Sequence, residues 1–316
     1  MALALYHPEY GYYTSRISAV GRRGDFSTAA TLGGCLAKAI VGWIKAEAGV
    51  LKPKRLHLIE LGGGNGDLAN GILRSFRAWD RPQYHLVEIS PRLRTLQAKV
   101  LRGWPVRWHP NVSSALGAAG GQAVLFSNEF VDAFPCRRFV RQHGQWREIF
   151  FCHDAGTWCE RAHPVEAPPQ SRNLDGWMPP DGQQVEVHES YRDFLAEAGA
   201  TLSRGSLLTI DYGGVATETY HRRLAGSLRG YRQHQTVRGL DLYRVPGQQD
   251  LTADVNFDDL ETWGSAVGLN TIRRQTQREF LLSWITGKTL SDADRFLMDE
   301  AGAGTACKVL QQRKMQ

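Results

Sequence analysis

A carboxylate, a cluster of glycines and a second carboxylate one strand later form the part of this 316-residue chain best suited to chemistry. In LHLIELGGGNGD, Leu56 to Asp67, an apolar run reads as a buried strand and breaks into glycines just after Glu60. Glycine lacks the Cβ that holds a ligand off the backbone. Gly62, Gly64 and Gly66 can therefore form a tight strand-to-helix turn against an adenosine-bearing molecule. Asp67 is placed to cap a helix over Leu68 to Phe76. In YHLVEIS, Glu88 ends a second apolar strand, where a carboxylate can accept both hydroxyls of a ribose.

The choice of cofactor rests on what surrounds the glycines. Gly64, Gly66 and Ala69 also satisfy the dinucleotide pattern G-x-G-x-x-G/A. Two details favour S-adenosylmethionine. Glu60 places a carboxylate at the strand end, suited to a ligand that carries an ammonium and a sulfonium rather than a pyrophosphate. The loop also contains no Lys or Arg and no G-K-[ST], so nothing in it is built for a triphosphate. A dehydrogenase using NAD is the rival reading of the same loop, but no constellation for hydride transfer accompanies it.

Further candidate chemistry lies at later strand ends. NEFVDAFP follows a strand over Ala123 to Ser127, so Asn128, Glu129 and Asp132 are expected above the carboxyl edge of the sheet, where doubly wound folds bind ligands. The same residue types also cap turns. IDYGG puts Asp211 and Tyr212 at another such end.

To position these groups the chain must alternate strand and helix, and it does. Leu36, Ile40, Trp43 and Ile44 fall at helical spacing within Leu32 to Ala48. Strands are predicted at Leu56 to Leu61, Tyr84 to Glu88, around Val106 and at Ala123 to Ser127. A hairpin follows over Arg138 to Arg141 and Trp146 to Phe151, then a stretch to Asp181 rich in proline and turn residues. The rhythm resumes with a helix at Tyr191 to Ala198 and a strand at Ser206 to Asp211. After the irregular Gly213 to Asp250 come helices at Phe257 to Gly268 and Gln277 to Ile285 and a strand near Val309. The expected fold is α/β, a doubly wound Rossmann-like sheet in one domain over 1–316. Within it, 1–50 is a cap segment, 51–135 and 183–316 are the core, and 136–182 and 213–250 are insertions.

Composition narrows the class. With 42% hydrophobic residues the chain can bury a large core, and no apolar run approaches the roughly 18 residues of a membrane span. The first residues, MALALYHPEYGYY, lack the layout of a signal or transit peptide, so a cytoplasmic location is expected. The formal charge of +6 raises the question of nucleic acid. Much of the excess sits in His221 to Arg238, including Arg222, Arg223, Arg229 and Arg232, and reads as a solvated basic surface. The five cysteines, Cys35, Cys136, Cys152, Cys159 and Cys307, have no framework spacing and fit a reducing compartment. Cys136, Cys152, Cys159 and His163 match no short zinc motif, and no metal is expected.

Taken together, YHPEYGYYTSR, GDFSTA, LIELGGGNGDLANGILRSF, YHLVEISPRLRTLQ, NEFVDAFPCRRF, LLTIDYGG, GSLRGYRQH, QDLTADVNF, TQREFLLSWI and KVL run in one order along nearly the whole chain. In that order the sequence resembles the MidA-like family of S-adenosylmethionine-dependent methyltransferases, which includes a mitochondrial protein arginine methyltransferase that assists assembly of respiratory complex I. The resemblance implies methylation of a protein arginine, with a non-catalytic assembly factor or an RNA methyltransferase as alternatives. It implies a site in which Glu60, Gly62, Gly64, Gly66, Glu88 and Asn128 hold the cofactor, Asp25 and Thr28 of GDFST close over it, and Glu129 and Asp132 serve the acceptor. Two positions depart from the family pattern. Ala29-Ala30-Thr31 stands where Ser-Pro-Glu is usual, and Asp254 stands where His is common.

Overall fold

The computed structural model describes residues 1–17, 21, 34–154, 156–285 and 290–315. The main sheet contains β1 (His57–Leu61), β2 (Gln83–Val87), β3 (Val106–His109), β4 (Gln122–Asn128), β9 (Arg204–Gly214), β14 (Asn270–Thr276) and β15 (Cys307–Lys314). Their spatial order is β14-β15-β9-β4-β1-β2-β3. The pairs from β9 through β3 are parallel, while β15 lies antiparallel to both β9 and β14. From β1 the chain moves outward to β2 and β3, then returns to place β4 on the other side of β1. The reversal opens a crevice beyond the carboxyl ends of β1 and β4, the place where such sheets bind ligands.

Alternation along the strands builds a core on each face. In β1, Leu58 joins the cluster that contains Trp43 and Phe126, whereas Ile59 and Leu61 join the opposite cluster with Leu125 and Tyr191. The helix Gly34–Leu51 covers the first face with Leu36, Ile40, Trp43 and Ile44, as its spacing predicts. The other face takes the helices Val112–Ala118, Glu189–Thr201 and Phe257–Ala266. The expected doubly wound α/β sheet is therefore present.

The irregular stretches carry small sheets of their own. β5 (Arg137–Gln142) and β6 (Gln145–Asp154) form the expected hairpin, extended by β7 (Thr157–Pro164) and β8 (Gln184–Val187) in the order β7-β6-β5-β8. A second, three-stranded sheet holds β10 (Arg229–Arg232), β11 (Gln235–Val237) and β12 (Asp250–Thr252), and a short β13 (Val255–Asn256) pairs with β9. Strand β7 lies inside the segment expected to be turns. Strand β14 was not expected at all, because NTIRRQT is mostly exposed and shows no apolar alternation. Both are edge strands, where polar residues are tolerated.

One cap is corrected. The helix after the glycine loop is Asp67–Arg74 and its N-cap is Gly66, at φ 93. Asp67 instead occupies the first turn, where a carboxylate favours the positive end of the helix dipole.

Candidate cofactor and acceptor site

A cavity of about 400 Å³ lies at the switch point, lined by Glu60, Gly62, Gly63, Gly64, Glu88, Asn128 and Glu129 among others. Three of the loop glycines have left-handed backbone, with φ of 70 at Gly62, 50 at Gly64 and 93 at Gly66. Close packing adds a second constraint. A Cβ on Gly62 would lie 2.6 Å from Cδ2 of Phe130, so the loop rests against the segment that carries Glu129.

Both predicted carboxylates are buried and each is held by a donor. The Tyr84 hydroxyl donates to Glu60 Oε2 at 2.8 Å. The Ser90 N–H donates to Glu88 Oε1 at 2.8 Å, and Gln97 Nε2 donates to Glu88 Oε2 at 3.0 Å. A carboxylate has about four lone-pair sites, so Glu88 retains capacity for a ribose diol. Burial pushes both acids up to about 7, against the lowering effect of these donors.

The shifts set a pH dependence. For the ligand-free protein they raise the folded-state pKa above the unfolded one. The stability they contribute is thus present at acid pH and lost as pH rises from the ordinary carboxylate range through about 7. A cationic ligand prefers the ionised acids and reverses the trend. Affinity for S-adenosylmethionine is expected to climb between about pH 6 and 8, and Glu60→Gln to flatten that climb; calorimetry across the range measures both.

Gln97 was not singled out by sequence, yet it joins the two halves of the site. Its Nε2 also donates to the Gly64 carbonyl at 2.9 Å, and the indole N–H of Trp108 donates to its Oε1 at 2.9 Å. Removing it frees Glu88 and the glycine loop together. Gln97→Ala is expected to weaken cofactor binding about tenfold, corresponding to roughly 1–3 kcal/mol for buried groups left unpaired; unchanged affinity for S-adenosylhomocysteine would show that the bridge is dispensable.

The N-terminal segment supplies another unforeseen wall. Tyr6 and Tyr13 line the cavity; Tyr6 donates to the Ala133 carbonyl at 2.8 Å and Tyr13 to Asp250 Oδ1 at 2.7 Å. The signal lay in the aromatic density of YHPEYGYY, far in sequence from everything it touches.

The chemistry of the lining decides between cofactors. Glu60, Asp67, Glu88, Glu129 and Glu197 all face the cavity, and among the described residues no lysine or arginine lines it. Such a surface favours a ligand bearing an ammonium and a sulfonium and disfavours a pyrophosphate. S-adenosylmethionine fits such a lining, which includes both Glu60 and Glu88.

Comparison with known proteins agrees. A family model described as "Putative S-adenosyl-L-methionine-dependent methyltransferase" matches residues 35–274. The chain belongs to this methyltransferase family. Curated relatives named "Protein arginine methyltransferase NDUFAF7, mitochondrial" include those of Danio rerio, 29% identical over 89% of this chain and 71% of the relative, and Xenopus tropicalis, 30% identical over 89% and 70%. A crystal structure from Burkholderia thailandensis, bound to S-adenosyl-homocysteine, superposes with a TM-score of 0.86 at 27% identity, covering 99% of this chain and 86% of that one. The protein is an S-adenosylmethionine-dependent methyltransferase.

In this methyltransferase the two acids expected to serve the acceptor, Glu129 and Asp132, are separated. Glu129 lines the cavity and takes a left-handed φ of 50, a conformation that costs a residue with a Cβ free energy. Asp132 is buried but is not among the lining residues, and its Oδ2 accepts from the Thr252 hydroxyl at 2.6 Å. The turn between them is clamped by Asp211, whose Oδ2 accepts the N–H groups of Phe130 at 3.1 Å and Val131 at 2.8 Å. Burial and the neighbouring Asp132 push the Asp211 carboxyl well above the usual range. Asp211 thus holds the turn that follows Glu129. Asp25, Thr28 and Thr31 lie outside the described residues.

The basic segment is corrected at one position. Arg222, Arg223 and Arg232 are exposed, as expected from sequence, whereas Arg229 is buried; Arg223 and Arg229 both pair with Asp254 at 2.5 Å. The departure at Asp254 therefore has a structural partner set of its own. Cys152 and Cys159 face each other across β6 and β7, while Cys136 lies against Met1 at 3.6 Å.

Proposed function

We propose that this methyltransferase modifies the arginine side chain of a protein, with Glu129 receiving the proton released by the acceptor. The observation that carries the reading is that the charged residues lining the cavity are all acids among the described residues, with Glu129 held at the carboxyl end of β4 by the Asp211 clamp. The relatives named as protein arginine methyltransferases support it.

Bound S-adenosylmethionine supplies a methyl group on a positively charged sulfur, which leaves with the carbon–sulfur pair as a neutral thioether. The residues of the chain must prepare the nucleophile. A guanidinium keeps its proton in water because its pKa exceeds about 12. A carboxylate beside it orients the planar group, and as the nitrogen lone pair bonds to carbon, the proton passes to Glu129. The aromatic wall of Phe130, Phe134 and Phe194 excludes water from this exchange. Asp132 supports the same turn from behind through Thr252.

An RNA acceptor is less well served, since five acids and, among the described residues, no lysine or arginine line the cavity. Labelled methyl transfer into a lysate of cells lacking the protein separates the classes. Label removed by protease and resistant to ribonuclease is expected; the opposite result would reject the protein reading. Among the described residues no helix is long and apolar enough to cross a membrane. The sequence leads to the expectation of a cytoplasmic location and the family resemblance to a part in respiratory complex I assembly, whereas the curated relatives are labelled mitochondrial; cell fractionation decides the location.

A further inference from the structure

We propose that the groove between the helix Pro91–Val100 and the edge strand β3 docks an acidic segment of the acceptor protein, an inference that rests on the protein-acceptor reading. β3 ends the main sheet, with no strand on its outer side among the described residues. Arg94, Lys99 and Arg102 line the groove beside Trp108, and Arg107 is exposed on β3 itself. From Ile89 to Asn111 the chain carries five cations, Arg92, Arg94, Lys99, Arg102 and Arg107, and no acid; all but Arg94 are exposed. Among the described residues none of the five is in an ion pair, although Arg137, Arg138, Arg229, Arg274 and Arg313 elsewhere are each matched to a carboxylate.

Protection of the sheet edge accounts for Arg107, since a charge on an edge strand deters pairing with another chain. It does not account for Arg94, Lys99 and Arg102, which stand on the helix or just after it. Like charges gathered on one surface repel each other, and an anionic partner relieves that repulsion. A polypeptide fits better than a nucleic acid. From Arg94 to Arg102 the chain makes about two turns, roughly 12 Å, the reach of about four residues of extended chain. A single strand of nucleic acid takes stacking rings as well as cations. Among the described residues the one aromatic side chain lining the groove is Trp108, which is half-buried and spends its N–H on Gln97. The position also suits an acceptor. The cavity is lined by acids and the groove by cations, so a protein that offers an arginine to the first and an acidic segment to the second is held in one orientation. Gln97 joins the two surfaces, taking the Trp108 N–H and giving its own amide to Glu88 and Gly64.

The test follows the fluorescence anisotropy of a labelled octaglutamate peptide titrated with wild type and with a groove variant, Lys99→Glu/Arg102→Glu/Arg107→Glu. Arg94 is left intact because it acts on the Glu88 carboxyl. The control, Arg222→Glu/Arg232→Glu, reverses the same kind of charge at exposed positions outside the groove. Glutamine at the three groove positions stands in if the charge-reversed variant fails to fold. The expected result is a loss of peptide affinity of about tenfold or more in the groove variant and less than about twofold in the control, with wild-type binding weakening as salt rises. Affinity of the groove variant for S-adenosylhomocysteine stays within about twofold of wild type, while its methyl transfer falls at low lysate concentration and recovers at high. Equal loss of peptide affinity in the groove variant and the control would reduce the binding to unspecific charge and overturn the proposal. Tighter binding of labelled octauridylate than of the peptide, lost in the same groove variant, would assign the groove to nucleic acid instead. Undiminished transfer at low lysate concentration by a groove variant that no longer binds the peptide would detach the groove from the acceptor. Label entering RNA alone would fail the protein-acceptor reading, an outcome read separately from peptide binding.

Discussion

Gly64→Val is expected to abolish binding of S-adenosylmethionine and S-adenosylhomocysteine while leaving a cooperatively folded protein. Gly64 sits in the left-handed region with φ of 50 and lines the cavity, and its carbonyl accepts the Gln97 amide. A β-branched residue there costs about 1–3 kcal/mol in backbone strain. The loop relieves that strain by moving, which carries the carbonyl off Gln97 and places methyl groups in the cofactor's path. The main sheet has its own buried faces and survives. Calorimetry with each ligand, alongside a thermal melt, measures the two effects; an affinity loss under about tenfold in the folded variant would mean that the loop tolerates a side chain and does not cradle the ligand.

Glu129→Gln is expected to separate chemistry from binding. The substitution keeps the shape of the side chain and removes its ability to take a proton, so transfer should fall by roughly 10²- to 10⁴-fold, the usual worth of a general base. Affinity for S-adenosylhomocysteine should stay within about twofold, because the charge at this position acts on the acceptor. Asp132→Asn makes the contrast. Its oxygen can still accept from Thr252, and it does not line the cavity, so the expected loss is in thermal stability, with transfer reduced far less. Equal damage from the two substitutions would show that Asp132 also acts on the acceptor.

Local features of this site were legible in the sequence because they are carried by consecutive residues. An apolar run, a glycine cluster and a terminal carboxylate specify a strand, a left-handed turn and a ligand contact without help from the rest of the chain, and Glu60, Gly62, Gly64 and Glu88 indeed share one cavity. The same logic placed Asn128 and Glu129 at its edge. It failed for Asp132, because alternating direction within a short turn depends on the Asp211 clamp, a contact between β4 and β9 that no local pattern encodes. Gln97 was illegible for a related reason. On its helix it reads as one polar residue among several, and only the fold brings it to Gly64, Glu88 and Trp108 at once. Among the arginines after His221, Arg222, Arg223 and Arg232 are exposed as expected, and only Arg229 misled, since charge in sequence says nothing of the Asp254 that buries with it. Strand β14 escaped notice because its pairing with β15 supplies what its polar sequence does not.

The most direct measurement is amino-acid analysis of protein labelled from S-adenosylmethionine in a lysate of cells lacking the methyltransferase, with wild type and Glu129→Gln compared at equal cofactor occupancy. The account predicts that wild type places the label in methylated arginine and that Glu129→Gln, binding S-adenosylhomocysteine as well as wild type does, places almost none. Label in another residue or in RNA, or equal methylarginine from both proteins, would contradict it.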